Sequence, residues 1–210
     1  LSGNIAAGQT VWVQPSADGS HTTVTADTGF TNAGTLRLES LEVNYDATLV
    51  VTSGTLTNTP TGILNFNLGN GGNRTFRGNL DNQGTVNVNH NTLFNKSGGS
   101  YTNTGTFTIA ATKTLTINTG APVFNQNGGT LAINGSYTHD GTGAGVRGTL
   151  NLNGGTVAGT GPVSMTWGTL NVGIASALTP SFRLIHGNLN LGPAATGAAG
   201  FTMTGVGVLS

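Results

Sequence analysis

Asp18, Asp27, Glu39, Glu42, Asp46, Asp81 and Asp140 are the whole supply of carboxylates in this 210-residue chain. Hydrolysis of a glycosidic bond needs two carboxylates facing one linkage, and only Glu39, Glu42 and Asp46 stand near one another in the sequence. Strand alternation puts Glu39 outward beside Arg37, so this group reads as a solvated charged patch. Asp81 with Arg74 or Arg77 brings a single acid, which makes a poor calcium site. The histidines, at positions 21, 90, 139 and 186, have no metal-ligand spacing. His139-Asp140 has the composition of a catalytic dyad. It sits, however, in Tyr137-Thr138-His139-Asp140-Gly141-Thr142, a phrase found elsewhere with Asn103 in the place of His139, and it reads as a turn substitution. Without cysteine there is neither a disulfide framework nor a thiol nucleophile. The glycines precede strands and do not open helices, so they form no phosphate cradle. No catalytic, cofactor-binding or metal residue is expected, and no cofactor.

The elements that would carry any site are repeats. From Tyr101 to Asn134 one module occurs nearly twice: an aromatic residue, an amide two places on, Gly-Thr, then alternating apolar residues. Tyr101, Asn103, Gly105-Thr106, Phe107 and Ile109 form one copy. Phe124, Gln126, Gly129-Thr130, Leu131 and Ile133 form the next. The phrase recurs from Phe30 through Asn32 to Leu38 and from Leu80 through Asn82 to Val88. Its second half recurs from Gly148 to Leu152, Gly168 to Val172 and Gly187 to Leu191. From Gly84 onward copies begin roughly 19–24 residues apart, the period of a solenoid. The chain is therefore expected to be all-β: a right-handed parallel β-helix (β-solenoid) with rungs of that length, its hand following the preference of parallel crossovers. The amides Asn32, Asn58, Asn82, Asn103 and Gln126 are expected to stack at one corner as a hydrogen-bonded structural ladder.

Charged residues are only 7 % of the chain and cancel, which leaves no basic footprint for nucleic acid. Apolar residues, at 36 %, are strictly patterned, and that argues for order. No apolar run reaches the length of a membrane span, and no signal peptide is visible. Residues 1–28 read as irregular N-terminal rungs or a cap, with Thr10–Val13 a strand whose Trp12 points outward and is expected to be covered. Residues 29–191 read as the solenoid, with a looped-out rung between Leu36 and Leu64 and a surface excursion at 69–79. Residues 192–210 read as an irregular segment with a further rung.

The repeat phrase resembles the repeats of bacterial secreted right-handed parallel β-helices, as in filamentous haemagglutinin-type adhesins and autotransporter passenger domains. The match is good over residues 80–190 and loose elsewhere. What the resemblance implies is a non-catalytic, extracellular structural or adhesive solenoid segment of a larger secreted or cell-surface protein. Its partners would be neighbouring rungs of the same or identical chains and a surface glycan or host receptor. The same fold also hosts polysaccharide lyases, which typically need clustered acids for calcium and a basic proton acceptor, and phage tailspikes, which are trimers. Ice binding is a further alternative, since Thr55-Leu56-Thr57, Thr106-Phe107-Thr108 and Thr114-Leu115-Thr116 are T-x-T phrases. They do not recur on consecutive rungs of the sequence, where Asn-x-Asn takes over. Finally, the C-terminal residues Val206, Val208 and Leu209 are still apolar and alternating where the chain stops. They are expected to be covered by a following rung or by an identical copy stacked end to end.

Overall fold

Thr, Asn, Leu, Val, Ile and Phe in strict alternation, cut by Gly turns, favour extended backbone and give no helical face. In the computed structural model the chain is all β, a parallel β-solenoid of about seven turns, with no helix among the described residues. The structure describes residues 1–15, 20–41, 44–67, 69, 71–173 and 178–192, and the backbone of 201–204 and 208–209.

Successive turns stack their strands in three columns, and every ladder pair is parallel. The first column runs through Thr10–Val13, Thr35–Leu38, Ile63–Phe66, Thr85–Val88 and Thr106–Ile109 to the second halves of Val123–Ile133 and Gly148–Ala158. The second begins at Thr22–Ala26 and takes in the first halves of Ala47–Asn58 and Arg74–Asn82. It continues through Thr92–Phe94, Thr114–Ile117, Ser136–His139, Val163–Thr166 and Phe182–Ile185 to Phe201–Thr204. The third starts at Phe30–Asn32 and includes Ser100–Asn103, the first halves of Val123–Ile133 and Gly148–Ala158, Gly168–Val172 and Asn188–Leu191, ending at Val208–Leu209. Four long strands turn a corner and join one column to the next. At one such corner Gly129 has φ +57°, and an added Cβ would run into the Gly105 carbonyl of the rung below.

Stacking in register is what gives each rung its stability. The inward apolar residues Leu36, Leu64, Val86, Phe107 and Leu131 lie one above the other, all fully buried. Each contributes roughly 1.5–3 kcal/mol that an isolated rung would forgo. An aromatic chain runs through the middle turns. Phe94 sits 5.4 Å from Phe66, 5.2 Å from Phe76 and 5.0 Å from Tyr101, and Phe107, Phe124 and Tyr137 continue at 5.6 and 5.9 Å. These tilted and edge-on contacts suit the ring quadrupoles.

Several details differ from the reading of the sequence. Steps along the buried amides from Asn32 to Gln126 are 26, 24, 21 and 23 residues, and those along the outward Asn125, Asn151, Asn171 and Asn190 are 26, 20 and 19, so the repeat length ranges more widely than expected. No rung loops out between Leu36 and Leu64. The chain makes one full turn there, with Leu49 and Val51 in the second column and Leu56 in the third. Thr59 to Gly62 is the tight turn closing it, with Gly62 N donating to Thr59 O at 2.8 Å. Within 69–79, residues 74–79 belong to the strand Arg74–Asn82, and Arg74 and Phe76 are fully buried. Residues 10–13 and 22–26 pair in register with the strands that follow, so two strands of the first 28 residues belong to the stack.

The largest difference concerns Gly148-Thr149-Leu150. Its likeness to Gly129-Thr130-Leu131 predicts that the two phrases stack. Instead Thr149 pairs with Val123 and Leu150 with Phe124, in the third column, while Thr130 and Leu131 pair with Thr156 and Val157. Similarly, Tyr137 and His139 lie over Leu115 and Ile117 in the second column and are not copies of Tyr101 and Asn103.

Candidate functional site

Five amides occupy the inward corner of the third column on consecutive rungs, all of them fully buried. Asn32 Nδ2 donates to Asn58 Oδ1 at 2.8 Å, and Asn58 Nδ2 to Asn82 Oδ1 at 2.7 Å. Asn82 Nδ2 donates to Asn103 Oδ1 at 2.6 Å, and Asn103 Nδ2 to Gln126 Oε1 at 2.8 Å. Each Nδ2 of the four asparagines also donates to backbone carbonyls at the turn; for Asn82 this is Thr106 O at 3.1 Å. The column has a direction, because every amide donates toward the C-terminus. Apolar residues bound it on both sides. Ile5 bridges to Asn32 below, and Leu152 pairs with Gln126 above. Gln126 Nε2 turns to Gly128 O at 2.5 Å, and at the opposite end Asn32 Oδ1 is buried without a partner. Only the interior members have neighbours on both sides, so their chemistry is cohesion and not ligand capture.

The titratable residues are dispersed. Arg37 Nη2 holds Glu39 Oε2 at 2.8 Å, and Asn67 Nδ2 donates to the same oxygen at 3.0 Å. The Glu39 side chain is only 15 % exposed, so the expected solvated patch is a half-buried ion pair. Asp46 Oδ1 accepts from Asn73 N at 2.6 Å, and His21 Nδ1 accepts from Asp46 N at 3.0 Å. Asp81 is bound by Gln83 Nε2 at 2.7 Å, not by either arginine of its rung. Arg74 points inward, where Asn67 O, Gly71 O and Gly72 O accept from it at 3.0, 2.9 and 3.3 Å. Desolvation lowers its pKa, against the pull of Glu39 and Asp46. Asp18 and Glu42 lie outside the described residues. Among the described residues no three His, Cys, Asp or Glu side chains converge as metal ligands would.

His139 and Asp140 do not form a dyad. His139 is fully buried between Tyr137 Oη, 2.8 Å from Nδ1, and Pro122 O, 3.1 Å from Nε2. The Pro122 carbonyl can only accept, so Nε2 carries the proton and Nδ1 accepts from the tyrosine. Burial pushes the imidazole pKa down to about 4, against the Pro122 hydrogen bond. Asp140 instead takes Thr166 N at 2.6 Å, and its pKa is raised by desolvation.

On the outside, alternation places one small polar residue over another. Thr10, Thr35, Thr85, Thr106, Thr130 and Thr156 stand in single file on the first column, interrupted by Ile63. Asn125, Asn151, Asn171 and Asn190 form an outer amide column, linked at 2.8, 2.6 and 2.6 Å. The threonine file is not evident as a T-x-T count, because the repeat length varies from rung to rung. Trp12 is half-exposed: the Arg37 guanidinium of the next rung lies over its ring, 4.4 Å from the centroid, and covers it only in part. Trp167 and His186 stack at 4.5 Å and 14° on consecutive rungs, both with positive φ. Beside Arg37 an open groove of about 470 Å³ is lined by Glu39, Asn67, Asn89, Ala110, Ala111 and Lys113. Sequence reasoning passes over this groove because its lining comes from four rungs. At the C-terminal end Val208 and Leu209 form a strand over Asn188 and Leu189, and Val206 lies outside the described residues.

Comparison with known proteins gives no matching family model, no similar curated protein and no similar solved structure. The class the fold defines is the parallel β-solenoid.

Proposed function

We propose that this chain is a non-catalytic structural and adhesive solenoid segment of a larger secreted or cell-surface protein. The observation that carries the reading is the use of the side chains. Inward positions are filled almost wholly by stacked apolar residues and a hydrogen-bonded amide column, while outward positions present repeated hydroxyls and amides. The carboxylates that a β-helix hydrolase or lyase would gather are dispersed, with Glu39, Asp46, Asp81 and Asp140 each held by its own local partner. The likeness of the repeat phrase to secreted adhesin β-helices supports an extracellular setting. A neutral, hydroxyl- and amide-rich surface suits weak, multivalent contact with glycans or a receptor.

The test has two arms. Purified protein is incubated with a panel of neutral and acidic polysaccharides, and reducing ends and unsaturated products are followed. The same protein, displayed on beads, is assayed for retention on glycan-coated surfaces. Retention without product release is expected, and steady release of either product would overturn the reading. One observation favours a second reading. The single-file threonines of the first column repeat at the strand spacing of about 4.8 Å, a regular hydroxyl row of the kind an ice surface could meet. Measurable thermal hysteresis would support that reading over adhesion.

A further inference from the structure

The groove beside Arg37 is built from residues that follow the inward positions of successive first-column strands. Backbone bonds from Asn67 N to Leu38 O, Asn89 N to Phe66 O and Ala110 N to Val88 O place Glu39, Asn67, Asn89 and Ala110 one above the other. Four rungs at about 4.8 Å give the row a length of roughly 14 Å along the axis. Glu39 is already bound by Arg37 and Asn67. Asn89 Nδ2 reaches Asn67 Oδ1 only at 3.5 Å, the outer limit of a hydrogen bond, which leaves its amide to solvent or a ligand. The alanines Ala110 and Ala111 leave the far end open, and Lys113 closes it.

Lys113 is brought there by an unusual turn. Lys113 N donates to Ala110 O at 3.1 Å, and Thr112 inside that turn has φ +65°. A β-branched residue in the left-handed region is a real outlier, and such strain is concentrated at functional sites. The groove thus carries Arg37 at one end and Lys113 at the other, with a single acid that Arg37 already neutralises. Between the cations lie amides at one-rung intervals, a step close to that of one pyranose ring in an extended chain. Trp12 stands exposed behind Arg37.

We propose that this groove binds an extended acidic oligosaccharide, lying along the solenoid axis with a ring carboxylate toward Lys113, whose charge no acid of the groove offsets. The amides of Asn67 and Asn89 meet ring hydroxyls, which both donate and accept as an amide does. An acidic peptide would match the charge, but its extended backbone advances about 3.3 Å per residue, out of step with rungs about 4.8 Å apart. The proposal rests on the adhesive reading and names the ligand class and the place it binds.

The test is calorimetric titration of the whole chain with tetragalacturonate, its fully methyl-esterified form and tetraglutamate. Binding of the free acid, little binding of the ester and none of the peptide is expected. Lys113→Gln and Ala111→Glu, both at the surface turn, are expected to weaken tetragalacturonate by about tenfold or more, the effect of a charge-assisted contact. Arg183→Gln, on an exposed second-column position, should leave it unchanged. Circular dichroism matching the parent shows that each variant is folded. Equal binding of acid and ester, tighter binding of tetraglutamate, no binding of the acid, or an equal loss in Arg183→Gln would each overturn the groove assignment. None of these results bears on whether the chain is catalytic. Release of unsaturated product would overturn the adhesive reading while leaving the groove in place.

Discussion

Replacing Asn82 by Leu tests whether the amide column holds the solenoid together. Asn82 is in the interior of the column. It accepts from Asn58 Nδ2 at 2.7 Å and donates to Asn103 Oδ1 at 2.6 Å and Thr106 O at 3.1 Å. Leucine has the same branched heavy-atom shape and a larger volume, so the change removes hydrogen bonds without opening a cavity. Asn58 Nδ2 keeps Gly62 O and Thr85 O, both at 3.1 Å, and is not orphaned. Asn103 Oδ1 and Thr106 O lose the donor that Asn82 supplied. Two acceptors deprived in this way cost roughly 1–3 kcal/mol each, so the variant should lose about 2–6 kcal/mol. Gln126→Leu is the matched control at the column's end. There Asn103 Nδ2 keeps Gly105 O at 3.4 Å and Thr130 O at 3.2 Å, and the freed Gly128 carbonyl belongs to a partly exposed residue that water can reach. Its loss should be at most about 1 kcal/mol. Urea unfolding followed by circular dichroism measures both, compared by midpoint because a stack of rungs need not unfold in one step. Equal midpoints for Asn82→Leu and Gln126→Leu would refute the reasoning.

Other perturbations follow from particular residues. His139 is neutral in the fold with a pKa of about 4, whereas the unfolded chain takes up the proton near the ordinary value of 6.5. Stability should therefore be intact above about pH 6.5 and fall by roughly 3 kcal/mol as pH drops to about 4. His139→Leu should flatten that slope in thermal melts across the range. An unchanged slope would show that another group titrates. Gly129→Ala sets a Cβ against the Gly105 carbonyl at positive φ and should cost about 1–3 kcal/mol, read as a lower melting temperature. Thr112→Gly removes a left-handed β-branched residue from an exposed turn and should raise the melting temperature, by about 1 kcal/mol in stability.

How far the sequence carries depends on which residue marks each column. An aromatic residue or leucine with an amide two places on identifies the third column from Phe30 to Gln126, because no other corner of a rung repeats that pair. After Gln126 the amide gives way to Leu152 and Val172, and the marker is gone. Gly-Thr-Leu then describes strands of the first and third columns equally well, and matching it by eye shifts the register by a whole side of the rung. Tyr137 and His139 imitate the marker in the second column, where Ile117 lies beneath His139. Arg74 defeats pattern reading in a different way. An arginine is expected outside, yet here backbone carbonyls of the turn before it satisfy most of its donors inside. The groove was not legible for a geometric reason. Arg37, Asn67, Asn89 and Lys113 come together only once the rungs are stacked with their true, unequal lengths.

That stacking register underlies every surface described, and it can be measured directly because the chain has no cysteine of its own. Paired cysteines are introduced at outward positions and oxidised under mild conditions. Neighbouring parallel strands lie about 4.8 Å apart, within the Cα range that a disulfide can span. The structure pairs Asn125 with Asn151 and Ala132 with Ala158. Matching the Gly-Thr-Leu phrases instead pairs Ala132 with Asn151. Cross-linking of Asn125→Cys with Asn151→Cys, and of Ala132→Cys with Ala158→Cys, is predicted, with none for Ala132→Cys with Asn151→Cys. Efficient cross-linking of that last pair, with the first two unreacted, would contradict the fold as described.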